Sequence, residues 1–136
     1  AERACVPVAV HLDHCSDPEN VRRAMDSGYT SVMFDGSKMP FEENMRITLS
    51  WPRGHRRGIF IEGELGNVPY SDLGQMDVRL TPEEARIMQE QTELDWLAVS
   101  VGISIVWWGV SAIQFEALRE IQKQCSLPLV IHGPPV

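Results

Sequence analysis

Side chains that can bind metals or move protons lie in short, spaced groups along the chain. Asp13 precedes His14, Glu62 and Glu64 are two positions apart, and His132 follows more than a hundred residues after His14. Neutral imidazoles are common zinc ligands, and a catalytic zinc site typically takes about three protein ligands and leaves one position open. Carboxylates beside such an ion can act as a general acid or base, or can orient the ligands. The pattern predicts a metal centre if the fold brings these groups together.

Each of these residues also has a simpler interpretation. A histidine at the end of a strand is more often a structural hydrogen-bonding residue than a metal ligand, and Glu62 could equally be an ion-pair partner inside the fold. His11 is expected to be a core histidine with its hydrogen bonds made, and Cys15 an ordinary buried thiol. The residue types alone leave both interpretations open.

The composition narrows the class of protein. A length of 136 residues, with 43% hydrophobic and 23% charged residues, predicts one soluble globular domain over residues 1–136. The formal charge of −7 argues against a nucleic-acid binder, which would need Lys and Arg to neutralise phosphates. No apolar run approaches the roughly 20 residues that span a membrane. Three widely spread cysteines without a CxxC pair favour a reduced compartment, so we expect a cytoplasmic protein.

Alternating strand and helix signals supply the elements that would position the polar side chains. Capping residues mark three helix starts: Asp17 with Pro18, Thr81 with Pro82 and Glu84, and Ser111 with Gln114. Gly28 can close the first of these helices, and a further helix is expected from about Pro40 or Phe41 to Ser50. Short apolar runs predict strands at residues 6–12, 30–35, 58–64, 95–102 and 127–132. This alternation predicts an α/β fold with a parallel sheet and right-handed crossovers.

The two faces of the predicted strands differ in chemistry. Successive strand residues point to opposite faces, so Val32 and Phe34 oppose Asp35, and Ile61 opposes Glu62 and Glu64. A sheet covered by helices on both faces would be apolar on both. One aliphatic and one polar face favour a barrel, whose active site lies at the carboxyl ends of the strands. Since such a barrel usually takes about 250 residues, we expect an incomplete TIM-barrel type with about five of eight βα units.

Several runs in register resemble one enzyme family, the class II, zinc-dependent fructose-bisphosphate and tagatose-bisphosphate aldolases. The runs are VPVAVHLDH at 6–14, GYTSVMFDGS at 28–37, PFEEN at 40–44, IEGELG at 61–66, TPEEA at 81–85, LAVSVG at 97–102 and PLVIHG at 128–133. They occur in the family's order and cover nearly the whole chain. A series of this kind is far more specific than any single motif, and it is similar to strands three to seven of the family's barrel.

The resemblance implies a role for each polar residue. Asp13 matches the catalytic acid/base, which moves a proton at the sugar hydroxyl or carbonyl. His14 and His132 match zinc ligands. Glu64 matches a carboxylate close to the metal, and Asp35 matches a residue near a second cation position. In the family, zinc acts as a Lewis acid during carbon–carbon cleavage.

The resemblance also implies the substrate and the reaction. Gly102 and Gly133 lie in stretches that match substrate-binding parts of the family. The implied reaction is the reversible aldol cleavage of a ketose bisphosphate to dihydroxyacetone phosphate and an aldehyde phosphate, a lyase step of carbohydrate metabolism such as glycolysis. The zinc mechanism needs no Schiff-base lysine.

Some positions depart from the family pattern. Ile105 stands where the family usually has a third zinc histidine, and Pro134 and Pro135 follow Gly133 where a glycine- and serine-rich phosphate loop is expected. Each proline removes a backbone N–H donor. The acidic loop expected after Gly66 is replaced by residues 67–72. The alternative hypothesis is therefore a catalytically impaired or non-catalytic barrel remnant that acts in interaction or oligomerisation.

An open unit of five strands would expose its polar face and two sheet edges, which promote aggregation. Further chain could complete the barrel, subunits could cover one another, or the unit could be a remnant. We expect a homo-oligomer with a phosphorylated ketose as its substrate.

Overall fold

The computed structural model describes residues 4–51, 58–66, 80–101, 105–106, 109–110 and 113–132. Its main sheet contains β1 (His11–Cys15), β2 (Ser31–Phe34), β3 (Phe60–Leu65), β4 (Trp96–Val99) and β7 (Leu129–Val130). These strands are all parallel and lie in chain order, β1-β2-β3-β4-β7. The predicted parallel α/β fold is confirmed.

Within the described residues, four helices connect the strands: α1 (Pro18–Asp26), α2 (Phe41–Leu49), α3 (Pro82–Gln91) and α4 (Phe115–Gln124). The predicted starts of α1 and α3 are confirmed. The Asp17 side chain accepts a hydrogen bond from the Glu19 amide at 2.9 Å, and Thr81 and Glu84 cap each other reciprocally. Gly28 follows α1 with φ of 87°, a left-handed conformation that favours glycine. The described residues contain no helix long and apolar enough to cross a membrane.

The aliphatic strand faces pack against the helices, as predicted. Val32, Phe34 and Ile61 join one buried cluster with Val21 of α1 and Met88 of α3. This packing leaves the opposite face of the sheet to the ionisable side chains. The cluster therefore orients the strands and determines which side chains can reach the candidate site.

The first strand begins later than predicted. The strand was expected at residues 6–12, but β1 is His11–Cys15. Val6 and Val8 are 68% and 46% exposed at the edge of the sheet, with too little apolar contact to hold them in a strand. The contacts with the neighbouring strand begin at Val10, whose amide donates to Thr30 Oγ1 at 2.8 Å.

Ser111 lies outside the described residues, but the position of Gln114 shows that the capping box predicted for these two residues is wrong. Gln114 is itself the N-cap of α4 and makes no side-chain capping bond. Its backbone is held in a non-helical conformation because its amide donates to the Val101 carbonyl at 2.9 Å. A small antiparallel pair, β5 (Ile105–Val106) and β6 (Gly109–Val110), precedes α4 and was not predicted.

Candidate metal centre

The polar residues of the candidate site lie at the carboxyl ends of the parallel strands, together at one end of the sheet. Asp13 and His14 come from the end of β1, Asp35 follows β2, and Glu64 lies near the end of β3. His132 follows β7, the edge strand opposite β1 in the sheet. Because all five strands are parallel, their carboxyl ends meet at this end, and the side chains converge although they are far apart in sequence.

A β-bulge in β1 turns two consecutive residues toward the site. The pairing with β2 runs from Leu12–Val32 directly to Cys15–Phe34, so β1 has one extra residue. His14 takes that extra position with φ of 46°, which is uncommon for a residue other than glycine. In a regular strand Asp13 and His14 would point to opposite faces. Both residues were predicted to lie at the site, but the bulge that turns them toward it was not predicted.

The His14 ring lies at the centre of the cluster. Its Nδ1 lies 3.2 Å from Asp35 Oδ2 and 3.4 Å from Glu64 Oε2. Its ring centroid lies 4.4 Å from that of His132. Two sets of ligand atoms, Asp13–His14–His132 and His14–Asp35–Glu64, each fall within 4.8 Å of one another. Both sets have the spacing and the N/O donors that a divalent cation requires.

Glu64 has surroundings that suit a cation. Burial first, and then the neighbouring acidic side chains with Asp35 foremost, together raise the pKa of its carboxyl to about 9. Its Oε2 is buried and, within the described part of the chain, accepts no hydrogen bond. Among the described residues, the carboxylates of this cluster pair only with histidines and never with Lys or Arg; the three carboxylates are those of Asp13, Asp35 and Glu64. A bound cation would supply the positive charge that this cluster needs.

Asp35 is held in its charged form by a short loop. Burial raises its pKa, but hydrogen bonds outweigh that effect and the net pKa is lowered. Ser37 donates twice to Asp35 Oδ1, from its hydroxyl at 2.5 Å and from its amide at 3.1 Å. The role of Ser37 was not predicted, although aspartate side chains often accept a hydrogen bond from the backbone amide two residues further on.

The stability of the metal-free chain should depend on the protonation of Glu64. Its pKa is about 9 in the folded chain against an ordinary value of 4.5. Above pH 4.5 the unfolded chain loses this proton while the folded chain keeps it, so stability falls as pH rises toward about 9. The decline should be at most about 1.4 kcal/mol per pH unit, and Glu64→Gln should flatten it.

Urea unfolding in the presence of a chelator, at a series of pH values from about 5 to 8, measures this slope. Glu42→Gln, an exposed carboxylate at the start of α2, is the matched control and should keep the parent slope. Equal slopes for the parent and Glu64→Gln would contradict the assignment.

The remaining predicted residues divide into two groups. His11 hydrogen-bonds through Nδ1 to Ser31 Oγ at 2.8 Å, as expected for a histidine with a structural partner. Cys15 is partly buried, and its thiol donates to the Asp17 carbonyl at 3.5 Å. Gly102 and Gly133, the predicted substrate-binding positions, lie outside the described residues.

Comparisons with known proteins agree with this architecture. The family model described as "Fructose-bisphosphate aldolase class-II" matches residues 1–134. A fructose-bisphosphate aldolase from Thermus caldophilus is 42% identical over 98% of this chain and 47% of its own length. A sulfofructosephosphate aldolase from Alkalicoccus urumqiensis is 38% identical over 94% of this chain and 47% of its own length. The chain spans about half the length of the curated relatives it matches.

A solved structure gives the same result. The crystal structure of the YdjI aldolase from Escherichia coli K12 superposes with a TM-score of 0.78 at 34% sequence identity, over 97% of this chain and 46% of that one. The shared fold and the match along nearly the whole sequence agree with each other. The chain belongs to the class II fructose-bisphosphate aldolase family.

Proposed function

We propose that this chain carries the metal-binding and proton-transfer residues of a zinc-dependent aldolase. The reaction is the reversible cleavage of a ketose bisphosphate to dihydroxyacetone phosphate and an aldehyde phosphate. The main support for the proposal is that four ionisable side chains converge at the carboxyl ends of the strands: Asp13, His14, Glu64 and His132. In addition, one buried oxygen of Glu64 has no hydrogen-bond donor among the described residues. Since the chain spans about half of its relatives, further chain or a second subunit would complete the active site.

The donor set fits a divalent cation. His14 and His132 would hold it, with Glu64 and Asp35 beside His14 as the anionic groups. When bound, the ion acts as a Lewis acid that polarises the substrate's oxygens and stabilises developing negative charge. The mixture of imidazole and carboxylate donors suits zinc better than magnesium or calcium, which prefer oxygen ligands alone.

Asp13 is the proposed acid/base of the reaction. Its side chain is 58% exposed at the open edge, so that a substrate can reach it, and its Oδ1 lies 3.7 Å from His132 Nδ1. In the cleavage direction Asp13 takes the proton of the hydroxyl on the carbon that becomes the aldehyde. The carbon–carbon bond breaks, and its electron pair stays on the ketone-derived fragment. A proton from solvent water then adds to that fragment at carbon to complete dihydroxyacetone phosphate, and Asp13 releases its own proton to solvent, so that no proton is gained or lost overall.

The proposed substrate class is a phosphorylated ketose. The relatives include a fructose-bisphosphate aldolase and a sulfofructosephosphate aldolase, and both names contain a phosphorylated fructose. A homo-oligomer in the cytoplasm remains a prediction.

A second candidate function is a scaffold without catalysis. Ile105 favours it, because an apolar side chain in β5 replaces the third zinc histidine that the family pattern predicts. Metal affinity depends strongly on the number of ligands, so the two functions differ first in whether the chain binds zinc.

The metal content of the purified protein tests the proposal. We expect about one zinc per chain by elemental analysis. The zinc content should fall to near zero in His14→Ala and in His132→Ala, because each change removes one of the few side chains that bind the metal directly. Glu42→Gln, a change at an exposed carboxylate of α2 outside both ligand sets, is the control and should keep the parent zinc content.

Zinc near zero in the parent protein would instead favour the scaffold. Retained zinc would justify assays of aldol cleavage with fructose and tagatose bisphosphates, in which a coupled reaction follows the release of dihydroxyacetone phosphate. Zinc that survives in both histidine variants would contradict the proposed ligands.

A further inference from the structure

Two glutamates of β3 lie on the same face but have different partners. Glu62 and Glu64 are 3% and 5% exposed. Glu64 directs an oxygen without a hydrogen-bond donor toward His14, at 3.4 Å from Nδ1. Glu62, in contrast, faces two other histidines. Its Oε1 lies 2.8 Å from His132 Nε2, and its Oε2 lies 3.8 Å from His11 Nε2. The two carboxylates therefore serve different purposes.

The contact between Glu62 and His132 determines which ring nitrogen can bind a metal. A carboxylate only accepts hydrogen bonds, so His132 Nε2 must carry the proton at this 2.8 Å contact. In the neutral ring the lone pair is then on Nδ1. This nitrogen is the one that lies 3.7 Å from Asp13 Oδ1, in the ligand set that Asp13 and His132 share with His14.

We propose that Glu62 is a positioning residue that holds His132 in the tautomer protonated on Nε2 and so presents Nδ1 to the metal. The inference rests on the proposed metal centre and assigns Glu62 a part in it without making it a ligand. Hydrogen bonds of this kind fix ring orientation and raise the basicity of the coordinating nitrogen.

His11 supports the same arrangement from the other side of Glu62. Its Nδ1 hydrogen-bonds to Ser31 Oγ at 2.8 Å, which leaves Nε2 directed at Glu62 Oε2. Glu62 is thus confined between two rings that come from β1 and from the end of β7. This confinement gives Glu62 a single orientation toward His132.

The tautomer of His132 can be measured directly in the metal-free protein. The full-length protein is labelled with nitrogen-15 in its histidines, and long-range proton–nitrogen spectra are recorded at about pH 8, where an ordinary imidazole is neutral. The chain contains four histidines, so His132→Ala assigns the signal of interest. We expect His132 to be protonated on Nε2 in the parent and to become a mixture of tautomers in Glu62→Ala.

Zinc affinity provides the second readout. Competition with a chromophoric chelator should give about 10- to 100-fold weaker zinc binding for Glu62→Ala. Glu62→Gln keeps an acceptor oxygen of the same reach and should restore most of both the tautomer and the affinity. Glu42→Gln, an exposed carboxylate of α2, should match the parent in both measurements.

The outcomes separate this inference from the proposed function. A parent His132 protonated on Nδ1, or unchanged tautomer and zinc affinity in Glu62→Ala, would overturn the role of Glu62. A loss of stability alone would leave both readouts at parent values and would identify Glu62 as merely structural. If the parent binds no zinc, the metal centre fails, while the parent spectrum still decides whether Glu62 fixes the His132 tautomer.

Discussion

Asp13→Asn is expected to lower kcat for aldol cleavage by about 10²- to 10⁴-fold, the range that general acid–base catalysis usually contributes. Asparagine keeps the size of aspartate and its hydrogen-bonding reach but cannot take up a proton. The side chain lies at the open edge of the site, 3.7 Å from His132 Nδ1 and 3.9 Å from His11 Nε2 through the same oxygen. A substrate hydroxyl near the proposed metal ligands, His14 and His132, would therefore meet Asp13 first.

The measurement must separate proton transfer from metal binding, since Asp13 also belongs to one of the two ligand sets. Steady-state kcat and KM are measured in the complete protein, with zinc determined in the same sample. A low kcat with parent zinc content supports a base, whereas parallel loss of zinc and activity would identify Asp13 as a ligand. Asp26→Asn, an exposed aspartate at the end of α1, is the matched control. An unchanged kcat in Asp13→Asn would contradict the proposed role.

Much of the architecture could be predicted from the sequence because simple physical patterns carry it. The alternation of Val32 and Phe34 with polar neighbours predicted which face of the sheet meets the helices, and the cluster confirms it. The strand order followed from the connections, since strand–helix–strand units in compact domains place neighbours side by side. These two results alone predict that the polar side chains at the strand ends lie together, because parallel strands place their carboxyl ends at the same end of the sheet.

The local geometry of the site could not be predicted. A bulge with a left-handed histidine has no sequence signal, because its cost is met by contacts that the strand makes elsewhere. His14 keeps this conformation while its amide donates to Met33 Sδ at 3.3 Å, a long-range contact. The helix start at Ser111 failed for the same reason, since a distant contact, the Gln114 amide with the Val101 carbonyl, decided it. Short-range capping rules do not include such contacts.

Gly36→Ala is expected to destabilise the protein by about 2 to 5 kcal/mol, through overpacking and the loss of a buried hydrogen bond. Gly36 directly follows Asp35, and a Cβ at this position would lie 2.1 Å from Asn44 Oδ1 and 2.3 Å from Asn44 Cγ. Asn44 cannot move aside easily. It is 2% exposed, and its Nδ2 donates to the Glu64 carbonyl at 2.8 Å. If Asn44 moved to relieve the clash, the hydrogen bond that connects α2 to β3 beside the candidate metal centre would break.

A double-mutant cycle tests this mechanism, since it isolates the coupling between two residues in contact. Urea unfolding gives the free energy of unfolding for the parent, Gly36→Ala, Asn44→Ala and the double variant. Asn44→Ala removes the clashing amide as well as the hydrogen bond, so Gly36→Ala should cost less in that background. Additive costs would mean that the contact with Asn44 is not the cause. Asn44 packs against Gly36, the neighbour of Asp35, and bonds to the strand that carries Glu64. A coupled result would therefore also explain any weakening of zinc binding in Gly36→Ala, because relief of the clash would move Asp35 and Glu64 apart, and both are carboxylates of the proposed ion site.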